Sequence, residues 1–272
     1  MNDITPISTG LSRPEGVAMD GEYLYIAIWG SDTSTGSVVR VKKDGKSPTD
    51  HTVIATGLDR PEGVTVDGEY LYTTSGQLVV RARKDGKSPK DHETIASGLN
   101  IPTAVAVDGE YLYLTNLTGK VPAPGRDTVI RVKKDGKSPT DHTIVAESGL
   151  NRPVGLAVDG EYLYFTSWED NSVMRVKKDG KSPTDHPVII KTGLNGPAGM
   201  VLDRGYLYIT NYKKDGSVVR VKKDGKSDPV TIATGLNEPF GVAGDGDGLY
   251  ITIQGSTTDT GSVVRVRVRV TA

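Results

Sequence analysis

The sequence predicts an all-β fold, a six-bladed β-propeller with four antiparallel strands in each blade. A Gly-Leu-x-x-Pro segment occurs six times in the 272 residues, at intervals of 41 to 51 residues, and a period near this length is typical of propeller blades. Each repeat contains four short runs rich in Tyr, Val, Ile and Thr, which are favoured in strands. The two ends of the chain are also complementary, since the first residues match the last run of a repeat.

Within the first repeat, the four runs cover residues 17–20, 23–25, 38–41 and 52–56. We name them strands a, b, c and d, from the central axis outward. Gly, Asp and Pro turn signals separate the runs, and no window has the 3.6-residue period of an amphipathic helix. Each repeat is therefore one blade, and the six copies predict six blades.

The chain termini predict how the ring closes. Residues 5–10 match residues 52–57, so the chain begins with a strand d, and it ends after a strand c at residues 262–270. We expect these two strands to pair, which removes the open edges of the ring. The whole chain, residues 1–272, is then one domain. Its six blades cover about residues 10–56, 57–97, 98–148, 149–192, 193–234, and 235–272 together with 4–9.

Composition excludes several classes of function. The chain has 33 Lys and Arg against 34 Asp and Glu, a formal net charge of −1, so we expect neither nucleic acid nor a membrane as a partner. It has no cysteine, which excludes disulfides, thiolate nucleophiles and zinc–thiolate sites. The N-terminus lacks the basic start and apolar run of a signal peptide. We expect a soluble monomer, compatible with the cytoplasm, although the sequence assigns no compartment.

The repeats differ mainly in one set of loops. The b–c and d–a connections of a propeller lie on one face of the disc, here called the variable face, and the a–b and c–d connections lie on the other, the uniform face. The c–d connection at residues 42–51 returns almost unchanged at residues 133–142 and 177–186, as recent duplication or engineering would produce. The b–c connections differ in length and composition. Since function tends to sit on loops carried by a rigid scaffold, we expect the site on the variable face.

Two sets of positions on the variable face supply the candidate ligand-binding residues. One is the residue directly after Pro, at the mouth of strand a near the axis, which Gly follows in five blades and Ala104 in blade 3. The other follows strand b. Aromatic rings beside carboxylates and amides suit a ligand pocket, although the tryptophans fit packing between blades equally well. The candidates are Glu15, Glu62, Thr103 and Phe240 in the first set, and Trp29, Asn116, Trp168, Asn211 and Tyr212 in the second.

The pattern Gly-Leu-x-x-Pro-x-Gly, followed by a hydrophobic run, Asp and Leu-Tyr, resembles the six-bladed propellers of the NHL, YWTD and regucalcin/gluconolactonase type and the streptogramin-lyase-like repeats. For the regucalcin type, the resemblance implies carboxylate and amide ligands to a divalent cation at the Pro-x-Gly position. Glu15 and Glu62 match it in character. Further oxygen ligands would come from Thr103, Asn116 and Asn211. The remaining slots hold Val154, Ala198 and Phe240, which offer no side-chain ligand.

This incomplete set leads us to expect no cofactor, with a divalent cation such as calcium as the alternative. A third interpretation is that the two glutamates pair with nearby arginines, at positions 13, 60 and 152. The four histidines occupy the same Asp-His slot before strand d, which favours a structural or solvated role on the uniform face. They are His51, His92, His142 and His186.

No catalytic set is recognisable, and three classes of function remain. The leading expectation is a non-enzymatic binding scaffold, natural or engineered, that presents a central pocket on the variable face to a small molecule or a protein partner. The first alternative is a metal-dependent lactonase, hydrolase or lyase of the regucalcin/gluconolactonase-like type. The second is a carbohydrate-binding propeller that uses Trp29, Trp168 and Tyr212 as stacking platforms.

Overall fold

The computed structural model describes residues 4–31, 35–118, 127–255 and 259–268. These residues form 24 strands in six four-stranded antiparallel sheets. Each sheet is one blade, and contacts between successive innermost strands close the six blades around a central axis. The predicted six-bladed propeller is confirmed. Across the described ranges there is no helix long and apolar enough to cross a membrane.

The first three blades each run from strand a at the axis to strand d at the rim. Blade 1 contains β2 (Pro14–Asp20), β3 (Tyr23–Ile28), β4 (Gly36–Lys42) and β5 (Thr52–Leu58). Blade 2 contains β6 (Val64–Asp67), β7 (Tyr70–Ser75), β8 (Leu78–Arg83) and β9 (His92–Ala96). Blade 3 contains β10 (Ile101–Asp108), β11 (Tyr111–Leu117), β12 (Thr128–Lys133) and β13 (His142–Glu147).

Blades 4 and 5 follow the same order, and blade 6 takes its strand d from the N-terminus. Blade 4 contains β14 (Pro153–Val158), β15 (Tyr162–Ser167), β16 (Ser172–Lys177) and β17 (Val188–Ile190). Blade 5 contains β18 (Pro197–Asp203), β19 (Tyr206–Asn211), β20 (Gly216–Lys222) and β21 (Val230–Leu236). Blade 6 contains β22 (Pro239–Gly244), β23 (Gly248–Ile253), β24 (Gly261–Arg267) and β1 (Ile4–Leu11).

The two ends of the chain pair as the sequence predicts. β1 lies antiparallel to β24, with Ile4 opposite Val266 and Leu11 opposite Gly261. The expected strand c extended to residue 270, but residues 269–272 lie outside the described part of the chain. Pairing the first strand with the last one protects the edges at which the ring would otherwise open.

The core consists of apolar layers between neighbouring blades. Successive side chains of a strand point to opposite faces of its sheet, so strand b of blade 1 serves two layers. Leu24 packs with Tyr250 of blade 6, whereas Tyr25 packs with Leu71 of blade 2. Leu24 and Leu71 are both fully buried, and each such side chain stabilises the fold by about 2 kcal/mol. The alternating Tyr-Leu-Tyr run is therefore the element that joins the blades.

Close contacts at the axis explain the Pro-x-Gly sequence. A Cβ on Gly155 would lie 2.1 Å from the carbonyl oxygen of Ala198 in the next blade, so only glycine allows this approach. Thr166 bridges the same junction, because its hydroxyl accepts from Gly155 N at 2.7 Å and donates to Ala198 O at 3.1 Å. This packing fixes the residue between Pro and Gly at the mouth of the ring.

The uniform face carries a second junction that repeats around the ring. A lysine that follows strand c of one blade forms an ion pair with the aspartate that ends, or directly follows, strand a of the preceding blade. The pairs are Lys43–Asp245, Lys84–Asp20, Lys134–Asp67, Lys178–Asp108 and Lys223–Asp159. At the sixth junction Val268 occupies the lysine position, which leaves Asp203 without the lysine partner that the other five aspartates have.

Candidate functional site

A cavity of about 920 Å³ opens on the variable face at the axis. It reaches outward over blade 2, whose b–c connection is only Gly76 and Gln77. Its walls combine carboxyl, guanidinium and aromatic groups. They include Glu15, Glu62, Thr103, Phe240, Trp29, Trp168, Tyr212, Arg13, Arg60, Arg152, Asp59 and Gln254. A second cavity of about 310 Å³ lies in the bore below and shares Glu62, Thr103, Val154 and Phe240 with the first, and small apolar residues such as Ala18 and Ala106 line the rest of its wall.

Glu15 is almost completely buried, with 1% of its surface exposed. Arg13 Nε donates to Glu15 Oε1 at 3.0 Å, and Gln254 Nε2 donates to Glu15 Oε2 at 2.6 Å. Burial, followed by the nearby Glu62 carboxyl, raises the pKa of Glu15 to about 8, against the opposing effects of Arg13 and Gln254. The Glu15 carboxyl is therefore a fixed group that retains a proton near neutral pH.

Glu62 has different surroundings from Glu15. Its side chain is half-buried, and no described residue makes a hydrogen bond or ion pair to its carboxyl group. Burial raises the pKa of Glu62 to about 7, although the charges of Arg13, Arg152 and Arg60 lower it. A carboxyl group of this kind changes its charge near neutral pH and has room for a water molecule or a ligand.

The backbone of blade 1 brings the two glutamates together. Strand b carries Ala27 where the other five blades carry a threonine. Without a hydroxyl at that position, Gly16 N donates directly to Glu62 O at 2.7 Å. The residue after Glu15 is thus bonded to the backbone of Glu62, and Glu62 N and Gly63 N each donate to Thr74 Oγ1 at 3.0 Å.

Three aromatic residues, from blades 4, 5 and 6, form another part of the wall. The ring centroids of Trp168 and Tyr212 lie 5.2 Å apart, and those of Tyr212 and Phe240 lie 5.9 Å apart with an edge-to-face angle of 89°. Tyr212 Oη donates to Gln254 Oε1 at 2.7 Å. Since Gln254 also donates to Glu15, one amide connects the aromatic wall to the buried carboxyl group.

The arginines are the part of the site that the sequence interpretation missed. Their only role there was as possible partners of the glutamates, and one such pair forms, between Arg13 and Glu15. Arg13 Cζ lies 4.2 Å from the centre of the Trp29 ring, and Arg152 Cζ lies 5.0 Å from that of Trp168. The signal was available, since an arginine precedes the proline of the repeat in three of the six blades.

Three of the predicted ligand-binding residues have other hydrogen-bond partners. The amide oxygens of Asn116 and Asn211 accept from Asn100 N at 3.0 Å and Asn195 N at 2.9 Å, and both side chains lie outside the cavity wall. Thr103 Oγ1 is 2.7 Å from Thr115 Oγ1. The structure therefore gives the two asparagines a role in holding loops, and it brings the other seven candidates to one cavity.

The available ligands do not fit a divalent cation. Such an ion needs several oxygen ligands converging on one point. Within the described ranges, no three His, Asp or Glu side chains are grouped so that they could hold a metal. The corresponding slots of blades 4, 5 and 6 hold apolar side chains, Val154, Ala198 and Phe240. The expectation of no cofactor stays a prediction, and no step below depends on a metal.

The prediction that all four histidines lie away from the site needs one correction. His186 has a structural role, since its Nε2 lies 2.9 Å from Glu147 O and its ring packs edge-on against Phe165. His92, in contrast, lines the outer end of the cavity over blade 2. Parts of three b–c loops, residues 32–34, 119–126 and 256–258, lie outside the described residues, so their predicted contribution to the site stays a prediction.

Comparison with family models finds no match, and a search of curated proteins finds none either. Solved structures match over nearly the whole chain. A gluconolactonase from Xanthomonas campestris is 18% identical with a TM-score of 0.74, and the match covers 97% of this chain and 90% of that one. A luciferin-regenerating enzyme is 15% identical with a TM-score of 0.75, covering 98% and 96%.

A calcium-binding protein, regucalcin, from Agrobacterium tumefaciens is 14% identical with a TM-score of 0.73, covering 98% of this chain and 96% of that one. These comparisons overturn our leading expectation of a non-enzymatic binding scaffold and favour its enzymatic alternative. The expectation failed because it was based on a thin inventory of catalytic residues, and burial of two glutamates is not readable from their positions in the sequence. The chain has the six-bladed propeller fold of the regucalcin- and gluconolactonase-like proteins.

Proposed function

We propose that this chain is a hydrolase of the lactonase type, which opens a cyclic ester in the cavity on the variable face. The observation that carries the proposal is the pair of carboxyl groups of Glu15, which is buried, and Glu62, which is half-buried, whose pKa values are raised to about 8 and about 7. Raised pKa values of this kind are typical of catalytic acids and bases. Two of the structural neighbours are named as a gluconolactonase and a luciferin-regenerating enzyme, which supports enzymatic chemistry on this fold.

Glu62 is the general base in this proposal. Its carboxyl group has no hydrogen-bond partner among the described residues, so it is free to bind the attacking water. The water oxygen forms a bond to the ester carbonyl carbon while the proton of the water passes to Glu62. A pKa of about 7 suits this step, because a base works best when its pKa lies near the working pH.

Glu15 is the general acid. When the ring C–O bond breaks, the departing oxygen takes the proton that Glu15 holds, and the product is a hydroxy acid. Arg13 and Gln254 fix the Glu15 carboxyl through both of its oxygens. Proton transfer from Glu62 back to Glu15, directly or through water, restores the starting state. One water molecule is consumed for each ester bond that is broken.

The aromatic wall has a positioning role. Trp168, Tyr212 and Phe240 present an apolar surface in the same cavity as the carboxyl pair, against which the ring of a lactone can pack. Carbohydrate stacking on separate platforms is less well supported, because Arg13 lies over Trp29, and Trp168 and Tyr212 pack against each other.

A pH-indicator assay on glucono-δ-lactone, dihydrocoumarin and a δ-lactone that carries a carboxylate group tests the proposal. We expect hydrolysis of at least one of them, with kcat reduced by about a hundredfold or more in Glu62→Gln, the range attributed to general bases. Glu22→Gln is the matched control, since Glu22 lies in an exposed turn on the uniform face. Hydrolysis of none of the three, or equal kcat values for the wild type and Glu62→Gln, contradicts the proposal.

A further inference from the structure

Three arginines occupy one slot of the repeat, directly before the proline, in blades 1, 2 and 4. Arg13, Arg60 and Arg152 all have positive φ, at 56°, 43° and 57°. A left-handed backbone costs about 1 kcal/mol or more in a residue other than glycine. Blades 5 and 6 have the same backbone with Gly196 and Glu238, at φ of 61° and 56°. Glycine therefore satisfies this turn, and the three arginines place a charged side chain there at a cost in strain.

The side chains of the three arginines meet at the same cavity. All three line the cavity, and their side chains are each about half exposed, at 50%, 48% and 46% for Arg13, Arg60 and Arg152. The charge of each of them lowers the pKa of Glu62. Three cations from three blades thus lie around one carboxyl group, the one that we propose as the general base.

The guanidinium groups keep unused donors. Arg13 and Arg60 each use Nε, toward Glu15 Oε1 at 3.0 Å and Asp59 Oδ1 at 2.9 Å. Arg152 Nη1 lies 3.6 Å from Glu169 Oε1, which is too far for a hydrogen bond. No hydrogen bond from the terminal amino groups of these arginines reaches any described residue. A guanidinium offers five N–H donors, so each arginine can still bind an anion.

Tryptophan rings hold the guanidinium groups in place. Trp29 lies beside two of them, with Arg13 Cζ at 4.2 Å and Arg60 Cζ at 5.8 Å from its ring centre. Trp168 has the same relation to Arg152, at 5.0 Å. Such contacts orient an arginine before a ligand arrives, which lowers the entropy lost on binding. Both tryptophans follow strand b, in blades 1 and 4.

From this convergence we infer that the substrate carries a carboxylate group, which Arg60 and Arg152 bind at the cavity mouth while Arg13 holds Glu15. This inference rests on the proposed function in one respect: it takes the bound anion to be part of the substrate. The planar guanidinium fork matches a carboxylate through two parallel hydrogen bonds. The nearby carboxyl groups leave donors free for this anion. Asp59 and Glu169 each pair with one arginine, at 2.9 Å and 3.6 Å, while Glu15 and Glu62 have raised pKa values and carry only part of a negative charge near neutral pH.

Calorimetric titration with two unreactive probes of the same shape, 2-naphthoate and 2-naphthamide, tests the inference on the full chain. We expect the wild type to bind the naphthoate at least tenfold more tightly than the naphthamide at low ionic strength. In Arg60→Gln/Arg152→Gln the two dissociation constants should differ by twofold or less. Lys46→Gln is the control and should keep the preference, because Lys46 is 85% exposed on the uniform face.

Equal affinity of the wild type for the two probes, or an unchanged preference in the double variant, overturns the inference. Added salt gives a second readout that needs no variant: it should weaken binding of the naphthoate much more than binding of the naphthamide. Lactone hydrolysis measured on the same preparations separates the two proposals. Anion preference without hydrolysis contradicts only the proposed function, and hydrolysis without anion preference contradicts only this inference.

Discussion

Gln254 Nε2 lies 2.6 Å from Glu15 Oε2, and Gln254 Oε1 accepts from Tyr212 Oη at 2.7 Å. Gln254 belongs to blade 6, Glu15 to blade 1 and Tyr212 to blade 5. One amide therefore joins three blades at the cavity. Its orientation is fixed by the tyrosine hydroxyl, so that the amide presents its N–H₂ group to the carboxyl.

Removing this amide should change how the activity depends on pH. With Glu62 as base and Glu15 as acid, kcat/KM should rise through a pKa of about 7 and fall through one of about 8. The hydrogen bond from Gln254 lowers the pKa of Glu15. In Gln254→Leu we expect the alkaline limb to move to higher pH, and in Tyr212→Phe to move less in the same direction. An alkaline limb that stays in place in both variants contradicts the role of Gln254.

Stability should fall as the pH rises through the range in which the buried glutamates ionise. The folded protein binds these protons more tightly than the unfolded chain, because the pKa values rise from 4.5 to about 8 for Glu15 and about 7 for Glu62. The free energy of unfolding contributed by the two groups is complete below pH 4.5 and is lost up to about pH 8. Together the two groups lose stability on the order of 8 kcal/mol over this range.

Urea unfolding at pH 5, 6, 7 and 8 measures this effect. The double variant Glu15→Gln/Glu62→Gln has no ionisable group at either position, so its free energy of unfolding should decline much less over this range. The informative quantity is the difference between wild type and variant, which removes the contribution of other titrating groups. Parallel pH profiles for the two proteins are the result that contradicts the raised pKa values.

Ala27 should be needed for the position of Glu62. In other blades the threonine at this position places its hydroxyl between the corresponding N–H and carbonyl groups. Ala27→Thr would do the same between Gly16 N and Glu62 O, which now lie 2.7 Å apart. The fold should accept it, and we expect kcat to fall by about tenfold, as misplacement of a catalytic group reduces rate. Thr166→Ala is the reciprocal control in blade 4, which should lose some stability and keep its kcat. Unchanged kcat in Ala27→Thr argues against this positioning.

The sixth junction of the uniform face can be completed. Val268→Lys places a lysine where five other blades use one to pair with an aspartate of the preceding blade, here Asp203. Because the existing pairs are only partly buried, we expect a gain of about 0.3 to 1 kcal/mol in the free energy of unfolding. Val268→Met controls for the larger side chain. A gain that is equal in the two variants, or that is insensitive to salt, shows that no ion pair forms.

The fold could be predicted almost completely from the sequence, because each feature of a blade is local and repeated six times. Gly-Leu-x-x-Pro sets the turn into strand a, the Tyr-Leu-Tyr run alternates between two neighbours, and the match of residues 5–10 to residues 52–57 gives the closure. The site was predicted only in part. Glu15, Glu62, Trp168 and Tyr212 do meet at one cavity.

The remaining features of the site depend on contacts between blades, which a repeat pattern does not record. Gln254 reaches Glu15 across 239 positions in the chain, and the sequence gives no sign of this pair. Asn116 and Asn211 looked like ligands because their slot faces the site, yet their amides bond to the backbone of the d–a loops. The burial that raises the pKa values of the two glutamates is also a property of the assembled ring.

The central claim is that the carboxyl pair carries out the hydrolysis, and one assay tests it directly. The kcat of wild type and Glu62→Gln is measured on the best lactone substrate after exhaustive chelation and again with added calcium. We predict that the wild type keeps its full activity after chelation and that calcium restores none to Glu62→Gln. Loss of wild-type activity on chelation, with recovery on calcium addition, would contradict the claim and return the site to a metal-dependent mechanism.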